Sequence, residues 1–118
     1  MYTYTAKLIS VIDGNTVDAE IDLGFNVVIK QRVKLFGVDT DNLHSSDVEA
    51  KIRAVESKAK LIELLPKEFV VETILNKRGK FGRVMGQIYV KDADKLVSIN
   101  EQLIAQGVAD HMKEIIAD

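Results

Sequence analysis

Gln31-Arg32-Val33-Lys34-Leu35-Phe36-Gly37-Val38-Asp39-Thr40-Asp41-Asn42 is the stretch on which the reading of this chain turns. It begins as an alternating strand, with Val33 and Leu35 on one face and Arg32 and Lys34 on the other, and breaks at Gly37 into an acidic loop. A strand that delivers Asp39, Asp41 and neighbouring hydroxyl and amide groups into a loop suits a cation or a phosphate. Gly, Asp and Asn are equally ordinary turn residues, so the flanking segments have to decide.

Upstream, Tyr2 to Ile12 sets Tyr4, Leu8 and Ile12 on one face and Thr5, Ile9 and Val11 on the other, which predicts a strand buried on much of both sides. Asp13-Gly14-Asn15 is a turn. Val17 to Asp22 then alternates apolar and acidic residues strictly, as a half-exposed strand does, and Leu23-Gly24-Phe25-Asn26 turns the chain into the strand Val27 to Phe36. Three strands joined by short turns form an antiparallel meander.

Downstream, Ser46-Asp47-Val48-Glu49 has capping-box spacing, which predicts Ser46 as the helix cap. Val48, Ile52, Val55, Ala59 and Ile62 recur at helical spacing and are the expected core face, with Lys51, Glu56, Lys58, Lys60 and Glu63 outside; Leu65-Pro66 stops the helix. Glu68 to Leu75 and Val84 to Val90 read as further strands around a basic turn. Lys91 to Lys95 reads as a linker into a second capped helix at Ser98-Ile99-Asn100-Glu101, with Ile99, Leu103 and Ile104 inward and Gly107 as its stop. Beyond Ala109 the pattern fades, and Met112, Ile115 and Ile116 suit either a last helix or a packed tail. Five short strands with a helix inserted after the third and one or two C-terminal helices predict a five-stranded OB-type barrel, α+β in class, as one domain over 1–118.

Composition narrows the functions. The net charge is -2, which argues against coating nucleic acid by bulk charge and makes any such contact local. Lys77-Arg78-Gly79-Lys80-Phe81-Gly82-Arg83 is the densest basic cluster, with Lys30, Arg32 and Lys34 as a second strip. There is no cysteine, so cysteine metal sites and disulfides are excluded. No apolar run is long enough for a membrane span, and the alternating opening Met1-Tyr2-Thr3-Tyr4 lacks a signal-peptide pattern, so the cytoplasm is the expected location.

From about Tyr4 to His111 the sequence resembles the staphylococcal nuclease-like, or thermonuclease, family. The resemblance is carried by Val11-Ile12-Asp13-Gly14-Asn15-Thr16-Val17, by the opening stretch through Val38-Asp39-Thr40, by Arg78-Gly79-Lys80-Phe81-Gly82-Arg83, and by Asn100-Glu101-Gln102-Leu103-Ile104-Ala105-Gln106-Gly107-Val108-Ala109. Ile21 to Phe25 and Arg78 to Arg83 are more similar to short, phage-encoded members than to secreted enzymes. Four motifs in order are specific for the fold and not for activity.

The resemblance implies a calcium site formed by Asp39, the Thr40 carbonyl and the turn residue Asn15, where the family usually has an aspartate. An amide keeps an oxygen and removes a charge, so calcium binding is expected to be weak or absent, unless Asp13 or Asp41 restores charge. Asn42 stands where a glutamate would handle the attacking water, and an amide cannot take its proton; Asp41 is the nearest carboxylate. Arg83 matches one phosphate-gripping arginine, and the other falls on Lys34, a point charge in place of a two-pronged donor.

Each change weakens metal-dependent phosphodiester hydrolysis. The expected function is therefore a nuclease-like domain with a degenerate active site, binding DNA, RNA or a nucleotide through Lys34, Lys77, Arg78, Lys80, Phe81 and Arg83. The alternatives are an active nuclease using Asp39, Thr40, Asn15, Arg83 and Asp41, and a protein-interaction module built on the acidic strand Asp18, Glu20, Asp22 or the apolar tail. His44 lies in the loop with no second histidine or cysteine to pair with it, and His111 lies near the end.

Overall fold

A computed structural model describes residues 2–78 and 84–111, with side chains described except at 75–78 and 111. β1 (Thr3–Asp13), β2 (Thr16–Asp22) and β3 (Val28–Leu35) form the meander, and the two-residue β4 (Val38–Asp39) follows. After α1 (Val48–Leu64) come β5 (Glu68–Arg78), β6 (Val84–Asp92), β7 (Lys95–Ser98), α2 (Ile99–Ala105) and β8 (Asp110–His111). The sheet runs β3-β2-β1-β5-β6-β7, and a parallel β3–β6 pairing closes the first five into a barrel, leaving β7 as an extra strand. This is the OB-type α+β barrel that the sequence predicts.

The core follows the strand alternation where the alternation is clean. Val17, Ala19 and Ile21 of β2 and Val33 and Leu35 of β3 point inward and are buried with Val71 and Ile88. β1 departs from expectation. It is not buried on both sides: Tyr4, Ala6 and Leu8 face the core, Ile9 is exposed, and a register shift between Leu8 and Ser10 changes the phase so that Val11 packs inward again.

The predicted linker at Lys91 to Lys95 is instead a β-hairpin, Asp92 pairing with Lys95 across Ala93 and Asp94. Ala93 adopts φ +55°, a conformation that alanine rarely takes and that composition therefore does not announce. The cap of α1 also shifts by one: Asp47, not Ser46, accepts from the Glu49 amide. At α2 the expectation holds. Ser98 accepts from the Glu101 amide, and Gly107 at φ +75° ends the helix with the paired bonds from Gly107 to Ile104 and from Val108 to Leu103 that define a Schellman stop.

α1 is rotated relative to its sequence reading. Ala50, Ala54, Ser57 and Leu61 face the protein, whereas the expected core face, Val48, Ile52, Val55, Ala59 and Ile62, points to solvent. Close approach is the reason. A Cβ added at Gly14, in the β1–β2 turn, would lie 2.6 Å from the Ser57 Cβ, so the helix comes too near the barrel for Val or Ile at those positions. Small residues line the contact, and Leu61 and Leu65 fill the space beyond it.

A polar side chain, that of Asn100, is buried beside these apolar ones. Asn100 is 1% exposed; its Oδ1 accepts from the Ile88 amide at 3.0 Å, and its Nδ2 donates to the Phe36 carbonyl at 2.9 Å and the Gly86 carbonyl at 3.3 Å. It thus ties α2 to both strands of the parallel closure.

Two measurements check this packing. In urea unfolding at low protein concentration, Leu61→Ala is expected to lose about 2–5 kcal/mol and Ile62→Ala about 0.5 kcal/mol or less; the reverse order would mean that α1 faces the other way. Asn100→Ala leaves buried carbonyl and amide groups without partners and is expected to lose about 1–3 kcal/mol with the denaturant slope unchanged.

Candidate functional site

Gly37, at φ +76°, breaks β3 and redirects the chain into β4, which pairs with β8 through Val38 opposite His111 and Asp39 opposite Asp110. The loop after β4, the flank of α1 and the 107–110 segment enclose a pocket of about 160 Å³. Asp39, Thr40 and Asp41 line one wall, Arg53, Glu56 and Ser57 another. The Ser57 hydroxyl lies between the Arg53 carbonyl, at 2.9 Å, and the Val108 carbonyl, fixing the third wall to the helix. With Asp110, the lining carries four carboxylates against one guanidinium, so the pocket favours cations and repels a bare phosphate.

Asn15 sits behind this pocket rather than in its lining. It is buried, its Nδ2 donates to the Val38 carbonyl at 3.0 Å, and its Oδ1 accepts the Thr16 hydroxyl at 3.1 Å. Its backbone is held as well, the amide donating to Asp13 Oδ1 and the carbonyl accepting from Leu35. The side chain is a clamp between the β1–β2 turn and β4. A carboxylate there would set an anionic oxygen against the Val38 carbonyl.

As a calcium cage, Asn15, Asp39 and Thr40 do not fit. Calcium takes six to eight oxygens with carboxylates prominent among them; this trio brings one carboxylate, and the Asn15 oxygen already holds a hydroxyl. Among the described residues, no three His, Cys, Asp or Glu side chains converge as a metal group.

The other predicted residues are distributed as follows. Asp41 faces Arg53, with Nε at 3.0 Å from one oxygen and Nη2 at 3.5 Å from the other. That contact holds the Arg53 guanidinium even more firmly in its charged form. Both side chains are substantially exposed, so water screens the pair. Asn42 is exposed and accepts from the His44 amide at 2.8 Å, closing a loop turn away from the pocket; His44 is exposed too. Lys34 is partly exposed on β3, opposite Thr16 on one side and Met85 on the other, and it does not line the pocket.

Lys80, Phe81 and Arg83 lie outside the described residues, as does the predicted tail pattern Met112, Ile115, Ile116; the side chains of Lys77, Arg78 and His111 do too. The Lys30-Arg32 part of the basic strip is countered by the acidic strand. Arg32 grips Asp18 through two bonds of 2.8 and 3.1 Å, and Lys30 stands opposite Glu20. The hydrogen bond from Arg32 holds the Asp18 carboxyl below its usual range.

Arg53, Glu56, Ser57 and Asp110 line the pocket without having been singled out from the sequence as site residues. Arg53 is twelve positions from Asp41, and nothing in helical periodicity signals a partner in a preceding loop.

The sequence model of the family described as staphylococcal nuclease homologue matches residues 32–118. An uncharacterized protein of Methanocaldococcus jannaschii is 24% identical over 127 aligned positions, which cover 90% of this chain and 58% of that relative. The chain thus spans little more than half the length of this curated relative.

Asn15→Asp separates a clamp from a ligand. In chelator it is expected to lose about 1–3 kcal/mol through the broken Val38 contact, and calcium is expected to raise its Tm while leaving the parent protein unmoved. An equal calcium shift in the parent protein would make Asn15 a working ligand.

Proposed function

This chain belongs to the staphylococcal nuclease homologue family, and we propose that it binds nucleic acid or a nucleotide within that fold without hydrolysing it efficiently. The observation that carries the reading is the Asn15 amide, spent on the Val38 carbonyl and the Thr16 hydroxyl. Three further features agree with it. Asp41 is engaged by Arg53, Asn42 caps its own loop, and Lys34 offers a point charge where a planar two-pronged donor would grip a phosphate better. Losing aimed donors of that kind typically lowers rate on the order of a hundredfold or more.

Binding rests on a different part of the barrel from the acidic pocket. The parallel register pairs Lys34 with Met85 of β6, two residues past Arg83 in the sequence, so Lys34 adjoins the strand that follows the basic segment 77–83 in the chain. In the β2–β3 ladder Lys34 stands opposite Thr16 rather than a carboxylate, unlike Lys30 and Arg32. A phosphate held at Lys34 would meet positive charge outside the pocket that carries the four carboxylates.

A second reading, a metal-dependent phosphodiesterase, has one observation in its favour: Asp39, Asp41, Glu56 and Asp110 share a pocket that attracts cations.

Fluorescence anisotropy with a labelled single-stranded oligonucleotide tests the first reading. Affinity is expected to fall with salt, with Lys34→Ala and Arg83→Ala each reducing the slope by about 0.7; no binding at low salt would overturn it. Denatured DNA incubated with calcium, magnesium or manganese is expected to stay intact to the level of a chelator control. Cleavage that disappears in Asp39→Ala would establish the second reading instead.

A further inference from the structure

α1 presents two apolar stripes, and the barrel covers one. The outward stripe, Val48, Ile52, Val55, Ala59 and Ile62, recurs at alternating steps of four and three, the spacing of a helix that packs lengthwise against another helix. Its large members are well exposed, Val48 at 71%, Ile52 at 53%, Val55 at 54% and Ile62 at 54%. Singly exposed apolar residues are unremarkable, but a continuous row about 21 Å long along a helix is not. A shallow groove of about 700 Å³ runs beside it past Val48, Lys51, Ile52 and Val55.

The residues flanking the stripe specify what covers it. On one side, immediately before Ile52 and Ala59, stand Lys51 and Lys58; on the other, immediately after Val48, Val55 and Ile62, stand Glu49, Glu56 and Glu63. One flank is basic and the other acidic. When two helices pack in parallel, each residue preceding the stripe meets the residue five positions further along the partner's opposite flank. Lys51 then meets Glu56 of the second copy, and Lys58 meets Glu63 of the second copy, and the two-fold axis repeats both pairs. In the antiparallel arrangement lysines would face lysines and glutamates would face glutamates.

We propose that this face is the interface of a parallel homodimer, with a second copy of this chain as its occupant. The fold permits it. Ala50, Ala54, Ser57 and Leu61 lie on nearly the opposite side of α1, at about 100° per residue, so each barrel sits outside the helix pair. Glu63 also contacts Lys60 of its own helix at 3.2 Å, which leaves Lys51 with Glu56 as the stronger intermolecular pair. Two and a half heptads make a small contact, below the standard interface of about 1,600 Å². A contact of that size suits a weak dimer, and a dissociation constant on the order of 10–100 μM is the expectation to be tested.

Sedimentation velocity from about 5 to 500 μM, bracketing that range, tests the proposal on the full chain, with circular dichroism verifying the fold of each variant. The average mass is expected to climb from 13.1 kDa towards twice that value. Val55→Glu combined with Ile52→Glu should hold the protein monomeric. Lys51→Glu with Lys58→Glu should abolish association, as should Glu49→Lys with Glu56→Lys and Glu63→Lys, while an equimolar mixture of the two should restore it.

Because the chain has no cysteine, Val48→Cys and Ile62→Cys report orientation directly. Each should oxidise to a disulfide dimer by itself. A monomer throughout the range, association indifferent to the charge reversals, or a disulfide formed only between Val48→Cys and Ile62→Cys would overturn the proposal. The first of these would leave the stripe to another segment or a different partner.

Discussion

The parallel contact between β3 and β6 is the constraint on which the rest of the molecule depends, because without it the sheet is an open ribbon. It spans three residue pairs, from Val33 opposite Val84 to Leu35 opposite Gly86. Strands approach so closely there that a Cβ on Gly86 would meet Val33 and Val71 side chains and the Glu72 carbonyl at 3.1 to 3.3 Å. The Gly86 carbonyl accepts from Phe36, and Asn100 bonds the same carbonyl, the Phe36 carbonyl and the Ile88 amide. A single buried amide thereby satisfies the polar groups left where the short ladder ends. The contact also fixes where β3 stops, and so where Gly37 turns the chain towards the pocket.

Much of this architecture was legible because strand periodicity is a local property. β2 and β3 alternate cleanly, and the Ser98 cap and Gly107 stop have chemical signatures. The departures have physical causes that act at a distance. α1 carries two apolar stripes, and only the proximity of Gly14 to Ser57 decides that the one with small side chains faces the barrel. The β6–β7 hairpin turns at an alanine, so no glycine marks it. The phase change in β1 comes from its pairing with β2 rather than from its own composition.

The site follows the same division. Family motifs pick out Asn15, Asp39 and Thr40, yet what Asn15 does depends on the Val38 carbonyl, which a linear reading cannot set beside it. An aspartate and an asparagine differ here by more than a charge. The amide has a donor, so it can close a gap between turn and β4 that two oxygens would hold open unless a cation sat between them. The Asn15 contact to Val38 thus supplies, from within the protein, a cohesion that a carboxylate at the same place could not. Arg53 likewise meets Asp41 only because α1 runs back beside the loop.

The pairing of β4 with β8 makes the pocket depend on two distant parts of the chain. The five barrel strands are all present once Asp92 has been added, but one wall of the pocket is made by residues 107–110, and β4 gains its partner only at Asp110 and His111. The closure itself draws on α2 through Asn100, so barrel and pocket are both completed by residues that follow β7. The lining is thus divided between the loop and helix that follow β4 and the segment after α2, so a change confined to residues 107–110 reshapes the pocket without altering a barrel strand.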